Sequence, residues 1–126
     1  MNDEQIEAEI QAKGKTAARV LPEDVEANIV LEHYFTPADC LGVDGTQTMF
    51  KPTTETEQAS IPLNLLTICV LVLKNGFTVT GESACVSPEN FDAEIGRKIA
   101  RANAVQKIWP LMGYALRERL SSASGT

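Results

Sequence analysis

The chain has 126 residues, 44% of them hydrophobic and 22% charged, with a formal net charge of −6. These values fit one soluble domain able to bury a core without disulfides or metal. The net acidity argues against a general phosphate-binding surface, so direct nucleic-acid binding is not expected. Acid is concentrated at the front: residues 1–66 carry 4 Lys/Arg and 12 Asp/Glu, residues 67–126 carry 7 and 5. Such a split can steer self-association.

The amino terminus, MNDEQIEAEIQ, is acidic and lacks the apolar core of a signal peptide. Residues 3–13 predict a short polar helix or arm within an amino-terminal segment 1–20, with Ile6 and Ile10 one turn apart and Gly14 as its end. A single α+β domain is expected over 21–120. Leu21-Pro22-Glu23-Asp24 opens a second helix, with proline in the first turn and acids at the positive end of the dipole. Apolar spacing carries this helix to Phe35, where Thr36-Pro37 breaks it. Residues 38–62, with Gly42, Asp44-Gly45, Pro52 and Pro62, read as a long loop.

The most legible stretch is VLVLKNGFTVTGE, a hairpin about Asn75-Gly76. A two-residue turn there pairs Leu73 with Thr78 and Leu71 with Thr80. One face then carries Val70, Val72, Phe77 and Val79; the other carries Leu71, Leu73, Thr78 and Thr80. A long helix follows, capped by Ser87 with Pro88 and Glu89 in its first turn. Phe91, Ile95, Ile99, Ala102, Val105 and Trp109 form an apolar stripe, the expected lid for the Val/Phe face. A second stripe, Ala93, Gly96, Ala100 and Ala104, is made of small residues. Pro110 stops or kinks the helix, a last helix runs to Leu120, and 121–126 reads as a disordered tail. The small stripe and the Leu71/Leu73 face are left uncovered; the amino-terminal helices can cover them within one chain or a symmetry mate between chains, and a homo-oligomer is expected, with Leu71, Leu73, Ala93, Gly96, Ala100 and Ala104 at the interface.

Chemical motifs are sparse. Cys40, Cys69 and Cys85 form no CxxC pattern and read as reduced thiols of a cytoplasmic protein. LNLLTICVLVL is too short to cross a bilayer as a helix, so no membrane contact is expected. His33 is the only histidine. It is more easily a helix-end or surface residue than a catalyst, and a Cys–His pair would need a cysteine to approach it. No hydrolase, nucleotide-binding or metalloenzyme signature occurs, so no catalytic residue, metal or cofactor is expected. Arg97 and Arg101 stand one turn apart. The bland account is a solvated edge with a Glu94–Lys98 pair. The functional account joins arginines of two subunits into an anion site, with Thr78, Thr80 and Ser83 adding hydroxyls and Tyr114 a stacking ring.

The run GFTVTGESACVSPENFDAEIGRKIARANAVQKIWPLMGYALRERL resembles a tailed-phage and prophage family named for gene product forty-nine of one phage and gene sixty-six of another. The densest matches are NGFTVTGESAC, NFDAEIGRKIARANA, IWPL and GYALR, in order; the likeness begins near PEDVEANIVLEHYF. Met112 departs from the pattern, where the family commonly has an acid. The resemblance implies a small phage- or prophage-encoded protein of the host cytoplasm and supplies no catalytic residues. Together these readings favour a non-enzymatic, homo-oligomeric binding protein. Its expected target is a host component, either a host protein or a small nucleotide signal of host defence. A virion assembly component and a small enzyme using Cys40 or His33 are the alternatives.

Overall fold

The computed structural model describes residues 2–40 and 62–123. Most of the loop expected over 38–62, and the last part of the expected tail, lie outside the described residues. Within them the chain is α+β: a three-stranded antiparallel sheet, order β1-β2-β3, crossed on one face by a long carboxy-terminal helix. The elements are α1 (Asp3–Ala12), α2 (Pro22–Ala27), β1 (Ile29–Phe35), β2 (Leu66–Leu73), β3 (Thr78–Ala84) and α3 (Ala93–Ala123).

Local chemistry explains most of these bounds. Asn2 and Gln5 form a reciprocal capping box at the start of α1, and Gly14, with φ +68°, ends it. The Asp24 carboxylate accepts from the Leu21 amide at 2.9 Å and opens α2. The expected helix to Phe35 is corrected here: α2 stops at Ala27, and IVLEHYF is strand β1, paired with β2. β-branched and aromatic side chains suit a pleated surface, and β2 offers a ladder that no local signal could announce.

The hairpin turn is present, but its register differs by one residue from the expected one. Leu71 opposes Val79 and Val72 opposes Thr78. The loop holds Lys74, Asn75 and Gly76; the Leu73 amide donates to the Phe77 carbonyl at 2.8 Å, and only Gly76 needs positive φ, +89°. A one-residue slip sends one strand's side chains to the opposite face. The dry face is therefore Cys69, Leu71, Leu73 and Val79, all buried, and it faces α3.

The helix turns its small stripe to that face. Ala100 and Ala104 are fully buried against β3, while Ile95 and Ile99, expected in the lid, are 56% and 47% exposed. The reason is closeness. A Cβ on Gly81 would stand 2.2 Å from the Ala100 carbonyl oxygen and 2.3 Å from the Ala104 amide nitrogen. Strand and helix backbones touch, and only small side chains fit between them. Leu71, Val25 and Ile108 complete the core without exposure above 1%. Each contributes about 1.5–3 kcal/mol by burial.

Two further corrections concern α3. Its cap is Asp92, whose carboxylate accepts from the Ile95 amide at 3.1 Å; Ser87 instead precedes a separate single turn of 3-10 helix, Pro88–Asn90. Pro110 does not end the helix, which continues to Ala123, past the expected limit at Leu120. At about 1.5 Å per residue α3 is roughly 46 Å long, against about 27 Å for the longest strand. Its carboxy-terminal part therefore overhangs the sheet.

β3 is an edge strand whose odd-numbered residues bond to β2, as the Phe77 carbonyl and the Cys85 amide show. The even-numbered main-chain groups point outward. Asn103 of α3 reaches round and donates its side-chain amide to the outward carbonyl of Glu82 at 2.8 Å.

Candidate functional site

The arginine flank is the natural starting point. Arg101 lies where α3 crosses α2 and β1, and its guanidinium is already engaged. Nη1 and Nη2 donate to the two carboxylate oxygens of Glu26 at 3.1 and 2.6 Å, and Nε donates to Glu32. The hydrogen bond from Arg101 holds the Glu26 carboxyl below its ordinary range. Tyr34 donates to the other oxygen of Glu32 at 3.2 Å. Its phenol is pushed up to about 12, first by burial and then by the neighbouring Cys69 and Glu32 charges. Burial also pushes the Cys69 thiol up. Glu26, Arg101, Glu32, Tyr34 and Cys69 thus form one polar chain between α2, the sheet and α3. The Cys69 thiol is fully enclosed, the condition of an inert cysteine. Arg101, expected in an anion site between subunits, is paired here with two carboxylates of its own chain.

The remaining residues of the expected anion site are not gathered within one protomer. Thr78 and Thr80 oppose Val72 and Val70 on the outer face of the sheet, away from α3. Ser83 opposes the buried Thr67 on the helix side. Arg97 is exposed on α3 and has no ion-pair partner among the described residues. Tyr114 is 73% exposed and lies about 25 Å further along the same axis. The Glu94–Lys98 pair expected on this helix is present at 3.3 Å.

The residues expected between subunits are redistributed too. Leu71, Leu73, Ala100 and Ala104 are core residues of a single chain. Gly96 is buried, and a Cβ there would meet the Thr67 hydroxyl at 2.8 Å. Of the six, Ala93 alone is exposed. His33 is on β1, not at a helix end, and opposes Val70 on the outer face, where its ring stacks on Phe35 at 5.8 Å. Its neighbour Tyr34 opposes Cys69, so His33 and Cys69 point to opposite faces and form no catalytic pair.

Two of the clefts among the described residues are lined mainly by apolar side chains. A groove of about 340 Å³ runs beside the first turns of α3, walled by Phe91, Ile95, Ile99 and Leu65, with Ser83 and Cys85 at its edge. The second, about 190 Å³, lies between α1 and α3 and is lined by Ile6, Ile10, Val20, Pro22 and Trp109. Trp109, expected in the core stripe, is half-buried there and donates its indole N–H to Asp3 at 3.1 Å. The arm is folded on itself by Arg19, which donates to both oxygens of Glu7 at 2.8 and 2.9 Å. The Glu7–Arg19 pair had no local sequence signal, since 12 residues separate its partners. Among the described residues no group of three or more His, Cys, Asp or Glu side chains is placed to hold a metal ion.

Residues 20–120 match the family described as Phage protein (N4 Gp49/phage Sf6 gene 66). The chain belongs to this family. The matched span takes in α2, the whole sheet and α3 to Leu120, so the arm carrying α1 lies outside the family's domain. No curated protein and no solved structure matches the chain. Among the described residues no helix is long and apolar enough to cross a membrane.

Proposed function

We propose that this member of the phage family is a non-enzymatic, self-associating protein that binds a component of the host cell. The observation that carries the reading is apolar surface left open on the side of the sheet away from α3. Leu31 is 54% exposed there, and Ile68, Val70, Val72 and Phe35 are only half-buried among the described residues. Val30 and Phe77, at the strand ends, add further exposed apolar area. Contiguous apolar area of this kind on a small protein marks contact with another molecule. The polar chemistry leans the same way, because the Arg101 guanidinium is spent on the Glu26 and Glu32 carboxylates, with Tyr34 donating to Glu32 from the same cluster.

The finer form of the proposal is counter-defence. The protein sequesters a nucleotide signal, with the exposed Arg97 at a junction between copies. Light scattering over a concentration series tests self-association; a single chain throughout overturns it. Calorimetry against cyclic and ADP-ribose-type nucleotides, with Arg97→Ala as control, tests the ligand. No heat with any of them overturns the nucleotide form and leaves a host protein as the target, to be sought by capture from host lysate.

A further inference from the structure

The overhanging part of α3 carries a stripe that is complementary to itself. Lys107, Leu111, Tyr114 and Glu118 are all exposed, Leu111 by 40% and Tyr114 by 73%. At 100° per residue their directions fall within about 60° of one another. The stripe has cation, aliphatic, aromatic and acid in that order. Lys107 and Glu118 have no ion-pair partner among the described residues. The direction they share is well away from the one taken by the buried Val105 and Ile108. Nothing in the described chain covers it.

We infer that this stripe is a two-fold contact with a second copy of the chain, two α3 helices packing antiparallel. The sequence numbers fix the register. When Leu111 of one helix meets Tyr114 of the other, Lys107 meets Glu118, because both pairs share the same midpoint between residues 112 and 113. The two-fold operation repeats each contact, giving two Leu–Tyr packings flanked by two Lys–Glu pairs. A parallel arrangement in register would place Lys107 on Lys107 and Glu118 on Glu118, which like-charge repulsion disfavours. Antiparallel helices approach to about 8–10 Å, a distance these side chains fill. The contact rests on the self-association proposed above and gives it a surface, a symmetry and a register.

The test is charge exchange on the full-length protein, read by sedimentation velocity over a concentration series. Lys107→Glu and Glu118→Lys each set like charges against one another and should weaken the dimer about tenfold. The double variant K107E/E118K restores opposite charges and should return the dissociation constant to near that of the natural chain. All substitutions are at exposed positions, and circular dichroism checks that α3 persists. If the natural chain is a single subunit at every concentration, both self-association and this contact are overturned. If it dimerises and neither single exchange weakens it, self-association stands and this contact falls. Singles that weaken without rescue by the double overturn the antiparallel register.

Discussion

Gly81 and Ala100 meet backbone to backbone: the Cβ that residue 81 lacks would stand 2.2 Å from the Ala100 carbonyl oxygen. This contact sets how closely the long helix lies on the sheet. Gly81→Ala forces two main chains apart, so a loss of about 3 kcal/mol or more is expected in urea unfolding. Gly96→Ala is the control. Its new Cβ meets the Thr67 hydroxyl at 2.8 Å, a side-chain contact in place of two main-chain ones, and the expected loss is smaller, about 1 kcal/mol. Equal effects would show that the helix does not depend on the Gly81 contact.

Arg101 holds two carboxylates, so its removal leaves both Glu26 and Glu32 unpaired at the junction of α2, β1 and α3. Glu26 is about half exposed, and solvent screening limits the expected loss for Arg101→Ala to about 1–2 kcal/mol at neutral pH. The sign with pH follows from the lowered Glu26 value. A depressed folded pKa gives stability that is present above the unfolded value and lost as pH falls through the folded one. The gap between the natural chain and Arg101→Ala should therefore close on acidification below the ordinary carboxylate range. Unfolding midpoints at a series of pH values check this; a constant gap contradicts it.

The hairpin, the short amino-terminal helix and the body of the long helix were legible in the sequence because their signals are local: Asn75-Gly76, Ile6 and Ile10 one turn apart before Gly14, and the helical spacing from Phe91 to Trp109. β1 was not, because Pro22 and the acids after it announce a helix, and the apolar spacing beyond allowed it to continue. Only the distant β2 decides for a strand. The register was missed by one residue, since Asn-Gly suits a two-residue turn, yet here Gly76 closes a three-residue loop. That single step exchanged the sheet faces and led the small stripe to be assigned to a partner. Ala93, Gly96, Ala100 and Ala104 were visible as a set on the helix; their meeting with Gly81 was not. What they record is close packing inside one chain. The Arg101 pairs span 69 and 75 residues, beyond any local pattern.

The chain has one tryptophan, and it reports on the arm. Trp109 donates to Asp3 and walls the cleft beneath α1. Asp3→Ala, or removal of residues 1–13, should shift its emission to the red while leaving the sheet and α3 intact by circular dichroism. Unchanged emission in the truncated protein would mean that the arm does not cover the indole.

The thiols should divide by burial. Cys40 is exposed, Cys85 is intermediate with its thiol donating to the Ser87 carbonyl at 3.2 Å, and Cys69 is enclosed. A thiol reagent under native conditions should modify Cys40 first and Cys69 only after denaturant is added. Mass mapping of the adducts over time gives the order. Early modification of Cys69 would contradict the closed chain from Glu26 to Cys69.

Asn103 has a consequence for how copies can add to one another. An unguarded outer strand accepts the next molecule's strand, and that one the next, so growth has no natural stop. By occupying the Glu82 carbonyl from the side, Asn103 removes one rung of that ladder near the middle of the strand. Joining through helices related by a two-fold axis uses up its own surface after one partner. On the proposed two-fold contact, copies would therefore close as pairs.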